Sequence, residues 1–209
     1  MQFPAFFAEA PRLMVHYALA ELLGAAAGGV FEYRYEDAVK LAGHSCPTVA
    51  SAYQLTRHAL LALWPDAMPE RGRVLVEFAA PLGEGVTGVI ASVVTLLTGA
   101  AQEGGFKGLA GQHVRRDLQR FAREVPWQMR LTRQDTGVAV DAACDLNSVP
   151  SDREMSPLLS LCLAGKASLE QRQRFGDLWQ QRVARILLEY ADDPRVFRIR
   201  AAAPATSPG

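Results

Sequence analysis

Residues 127–145 constrain this fold more than any other stretch. WQMRLTR and VAVDAACD alternate apolar and polar side chains on either side of Gln134-Asp135-Thr136-Gly137, a turn sequence. Period-two alternation across a turn predicts an antiparallel hairpin with one buried face. That face needs a second layer to cover it, and helical patterns elsewhere supply one. Residues 46–64 predict a helix, with Pro47 in the first turn and Pro65 closing it. Its apolar stripe is Val49, Tyr53, Leu60, Leu61 and Trp64. Residues 86–98 predict a helix that is apolar nearly all round and therefore interior. Ser168-Leu169-Glu170-Gln171 is a capping box opening a long amphipathic helix to Tyr190, with Phe175, Leu178, Val183, Ile186 and Leu187 inward.

The remaining pattern fills in around these elements. Residues 11–24 read as an amphipathic helix ended by Gly24, Gly28 and Gly29. FEYRY at 31–35 reads as extended, and 72–79 and 196–199 read as strands. Residues 36–42 and 158–164 read as short helices. Strands and helices mixed with an antiparallel hairpin make the class α+β. No repeat or linker divides the chain, so 1–199 reads as one domain and 200–209 as a disordered tail.

Charge and cysteine usage exclude several functions. The 22 basic and 22 acidic side chains cancel, which argues against a nucleic-acid partner. The three cysteines, at 46, 144 and 162, contain no CxxC, so neither a zinc ribbon nor a dithiol redox motif is present. Residues 86–101, the most apolar run, are too short to span a bilayer, and Glu9, His16 and Glu21 interrupt the apolar start. The expectation is a cytoplasmic protein without a membrane segment, with a small molecule or a protein as partner.

Gly43-His44-Ser45-Cys46-Pro47 is the segment richest in chemistry. An imidazole and a thiolate two residues apart, at a helix entry, can share a zinc ion. They can equally be a nucleophile and its base, or a half-buried Cys beside a capping His. Two ligands do not complete a metal site, and His16, His58, His113 and Cys144 are the candidates to add a third. His58 lies twelve residues beyond Cys46 on one helix, about 18 Å along its axis, too far for one ion. His58 and His113 therefore read as packing and solvated residues, and Cys144 as a small buried apolar group. Gly104-Gly105 and Lys107 form a turn that can cradle an anion. No phosphate-loop or dinucleotide fingerprint accompanies it. Arg115, Arg116, Arg120, Arg123, Arg130 and Arg133 read as a solvated basic face, partly offset by Asp117, Glu124 and Asp135.

GHSCPTVASAYQLTRHAL resembles the signature of the formylmethanofuran dehydrogenase E-like family, with Tyr53 at the family's Tyr. VIASVVTLLTGAAQEGGFKG resembles its second apolar helix, with Thr98, Gly99, Gly104, Lys107 and Gly108 in frame. The resemblance spans about residues 33–190. It implies a thioredoxin-like core with a mixed sheet of about five strands flanked by helices, a homodimer, and zinc near His44 and Cys46. His16 is the candidate third ligand, and Tyr53, Thr98, Gly104 and Lys107 are the implied ligand-binding residues. The sequence departs from the family at Ala42, Val89, Ser92 and Ala100, where the family carries His, Cys, Asp and Cys. Three functions follow as expectations. One is a metal-binding accessory to redox or one-carbon metabolism. Another is a small-substrate enzyme using a Cys46 thiolate or a metal-bound water. The third is a module that has lost the metal and holds haem or another planar or oily ligand.

Overall fold

The computed structural model describes residues 2–202. Its centre is a mixed five-stranded sheet in the order β4-β3-β5-β6-β7. β3 (Val74–Phe78) pairs in parallel with the short β4 (Gln119–Arg120) and antiparallel with β5 (Met129–Arg133). β5 and β6 (Ala139–Cys144) form the expected hairpin, in which Leu131 faces Val140 and Arg130 faces Asp141. β7 (Phe197–Ala201) closes the far edge antiparallel to β6. The class is α+β.

Period-two alternation decides which face of the sheet is covered. Val74, Val76, Phe78, Met129 and Leu131 are buried and share one face. α3 (Pro47–Leu63) lies across that face, with His58 against Phe197 and the Arg133 guanidinium reaching the Leu63 carbonyl. α3 is buried on nearly every side, because α2 (Tyr35–Ala42), α4 (Thr87–Thr98) and the π-turn Arg185–Glu189 also pack on it. Leu61 departs from the expected stripe: it points outward at 39 % exposure, while Ala59 and Leu63 fill its place in the core.

The opposite face carries polar groups. Asp141 is 1 % exposed there, and the Arg130 and Arg200 guanidiniums hold its carboxylate at 2.8 and 3.3 Å. Arg200 also lies over the Trp127 ring, 4.3 Å from its centroid.

Three expectations need correction. Residues 11–24 are not one helix: β1 (Leu13–His16) precedes a single short helix, α1 (Ala18–Leu22). Leu13 and Val15 are buried and Met14 is exposed, an alternation that belongs to a strand, and β1 pairs antiparallel with β2 (Val30–Tyr33). α4 is not interior all round, since Val89 and Ser92 face outward. The tail boundary at 200 falls inside β7, because Arg200 and Ala201 are paired; residues 203–209 lie outside the described residues.

The C-terminal part follows its pattern. α5 (Met155–Leu163) packs on α6 (Leu169–Ala184), whose Ser168 side chain accepts from Gln171 N while Gln171 accepts from Ser168 N. Leu178, Val183, Ile186 and Leu187 are buried, and Phe175 is only half-buried. No helix among the described residues is long and apolar enough to cross a membrane.

Candidate functional site

The Gly43–Pro47 segment folds as a tight helix-to-helix connection. Gly43 ends α2 in the left-handed region at φ +75°, a conformation that favours glycine. Cys46 is the N-cap of α3, its sulfur accepting the Val49 N–H at 3.4 Å, and Pro47 supplies the first turn. Ser45 locks the connection to α6: its carbonyl accepts from Trp179 Nε1 at 3.0 Å, and its hydroxyl donates to Gln180 Oε1 at 3.0 Å.

His44 and Cys46 therefore look in different directions. Cys46 is buried, whereas His44 is exposed and turns its Nδ1–H to the Ala42 carbonyl at 3.0 Å. No group of three or more His, Cys, Asp or Glu side chains among the described residues is placed to hold a metal ion. The pair as arranged does not fit a zinc centre, which needs at least three convergent ligands. None of the other candidates approaches it. His58 Nε2–H donates to the Ala191 carbonyl at 2.6 Å, and burial lowers the pKa of the ring. Burial pushes the Cys144 thiol up to about 12, which keeps it protonated. His113 is half-buried on a loop at φ +58°.

The ligand-binding candidates divide between scaffold and surface. Tyr53 is fully buried and shares its hydroxyl proton between the Pro11 and Tyr33 carbonyls at 2.8 and 3.0 Å. Thr98 is 1 % exposed; its hydroxyl donates to Val94 O at 2.6 Å and accepts from Ala100 N at 3.1 Å. Gly104 and Lys107 are exposed. The turn's tight positions are Gly105, where a Cβ would stand 2.7 Å from Ala101 Cβ and from Arg116 Cα, and Gly108, where it would run into the Gln112 carbonyl.

A different constellation forms beside His16. At the end of β1, His16 N–H donates to Pro69 O at 2.9 Å and its carbonyl accepts from Arg71 N at 2.8 Å. Gly72 N then donates to Thr98 O at 2.6 Å, and Arg115 N to Phe106 O at 2.9 Å. These backbone bonds bring Tyr17, Arg71 and Arg115 together from three distant segments. The Arg71 and Arg115 guanidiniums sit 5.3 and 5.4 Å from the Tyr17 ring centroid. Gly99 makes room for both, since a Cβ there would lie 3.0 Å from Arg71 Nη1 and 3.2 Å from Arg115 Cδ.

These residues border a cleft of about 410 Å³ between α1, β2 and the Gln102–Gly108 turn. Its apolar walls are Leu19, Ala20, Leu23, Phe31, Tyr33 and Phe106. Arg71 and Arg115 supply its only charges, and no carboxylate lines it among the described residues. Neither arginine forms an ion pair there; Arg71 donates to the Leu96 carbonyl at 3.2 Å, and Arg115 makes no side-chain hydrogen bond among the described residues. Burial pushes the Arg71 guanidinium below its ordinary pKa, and the positive Arg115 beside it acts in the same direction.

His16 stands just outside. Its Nδ1 is 2.6 Å from Glu70 and its Nε2 3.2 Å from Glu21, so the doubly protonated ring satisfies both carboxylates. Their hydrogen bonds, Glu70's foremost, raise the His16 pKa against an opposing desolvation effect.

From sequence, Arg115 reads as part of a solvated face, and nothing singles out Tyr17, Arg71 or Phe106. No local motif marks them, because the backbone bonds that converge them join residues far apart in the chain. The one nearby signal is the Thr98-Gly99 turn, whose glycine admits the two arginines. No protein-family model matches the chain, and no curated protein matches it at a significant level.

Proposed function

We propose that this protein is a small-ligand-binding module, and that the cleft between α1, β2 and the Gln102–Gly108 turn holds a planar or oily ligand. The observation that carries this reading is the cleft itself, about 410 Å³ walled by aromatic and aliphatic side chains. Sites for small organic ligands are concave, mostly apolar and fitted with a few polar groups. The backbone bonds that hold its rim support a site formed before the ligand arrives, which reduces the ordering penalty of binding. No His or Cys lines the cleft among the described residues, so the axial ligands on which a haem reading rested are not found there. An accessory role in redox or one-carbon metabolism draws on the Gly43–Pro47 resemblance alone.

The test is fluorescence titration with phenylnaphthylamine, a neutral planar probe. Saturable binding, lost in a Leu19→Glu/Phe31→Glu double variant that keeps its circular dichroism, is the expected result. Binding that is absent, or unchanged in that variant, overturns the reading.

A further inference from the structure

We propose that the ligand of this cleft is an anion: an amphiphile whose acidic head lies against Arg71 and Arg115, with its apolar body between Leu19, Phe31 and Phe106. This rests on the cleft being a binding site, and it adds the chemical class of what binds.

Two guanidiniums share one aromatic ring as their platform and repel one another. Arginine does not shed its charge, so an anion placed between the two would relieve the repulsion. Half-buried cations are ordinarily paired, and the protein supplies no such partner among the described residues. The acids beside this site are already engaged, Glu21 and Glu70 both facing His16. The Nε atoms of Arg71 and Arg115 are buried with no hydrogen-bond acceptor. The Tyr17 hydroxyl is also buried without a partner, on a residue only 9 % exposed that lines the same cleft. All three atoms belong to residues that line the cleft. An acidic head group would balance the charge of the two guanidiniums and accept from their accessible N–H groups, with the strength of charge-assisted hydrogen bonds.

Paired titrations test this with anilinonaphthalene sulfonate and the neutral phenylnaphthylamine, which differ by the acidic group. The sulfonate is expected to bind at least about tenfold more tightly, and the preference to weaken as salt rises. Arg115→Met should abolish the preference, bringing the two probes' affinities to within about twofold of each other. Arg115→Lys should keep part of it. Unfolding curves for both variants exclude a folding defect. Equal binding of the two probes, or a preference that survives Arg115→Met, overturns the anion proposal and leaves the cleft as a neutral-ligand site. Failure of both probes to bind overturns the cleft reading as well.

Discussion

His16 Nδ1 lies 2.6 Å from Glu70 Oε1, joining the end of β1 to the segment that carries Arg71. The contact raises the His16 pKa above its ordinary 6.5. Its stabilising contribution is therefore complete below that value, provided the carboxylates are ionised, and is lost as pH rises through the raised value. The thermal-melting difference between wild type and His16→Gln should be largest below pH 6.5 and shrink as pH rises through the raised value. Both partners are partly exposed, so the difference is at most about 1 kcal/mol, or about 2–4 °C. A pH-independent difference would contradict this.

Cys46 acts as a helix cap in this structure. Cys46→Ser keeps an acceptor for Val49 N and should melt within about 2 °C of wild type, whereas Cys46→Ala should lose about 1 kcal/mol. Zinc should leave all three melting points unchanged. A zinc-dependent rise present in wild type and missing in Cys46→Ala would establish the metal site that the motif resemblance implies.

Gly99 holds a left-handed conformation at φ +75° against both arginines. Gly99→Ala should lower stability by about 1–2 kcal/mol, through backbone strain and crowding of Arg71. It should also weaken binding of the sulfonate probe. Gly104→Ala, whose Cβ would meet nothing within 4 Å, should do neither. Denaturant melts and titrations on the two variants give the comparison.

Asp141→Asn removes the charge that Arg130 and Arg200 share across β5, β6 and β7. A buried carboxylate whose partners stay behind is expensive to neutralise, and the loss should be about 2–3 kcal/mol in urea unfolding. A loss below about 0.5 kcal/mol would mean that the three side chains are effectively solvated.

What the sequence discloses follows from how local each signal is. The 127–145 hairpin, α3 and the Ser168 cap are written in neighbouring residues, and all three form. The first twenty-four residues carry two periods at once. Leu13 and Val15 satisfy a strand, Leu19 and Leu22 a helix, and only pairing with β2 decides between them. The site is less legible still. Arg115 looks like its neighbours Arg116 and Arg120 until the fold sets its guanidinium against the Tyr17 and Phe106 rings. His44 and Cys46 stand two apart in sequence, yet the cap sends one side chain into the core and the other to solvent.

The clamp on the Gly43–Pro47 connection has a temporal side. Trp179 Nε1 reaches the Ser45 carbonyl across 134 residues of chain. Contacts between such distant segments form late and slow a chain's folding. As the protein is synthesised, α2 and α3 emerge long before α6, whose Trp179 and Gln180 clamp the connection between them. Until α6 docks, this loop is held by its own caps at Gly43 and Cys46 alone, and the bonds that clamp Ser45 wait for the last third of the polypeptide.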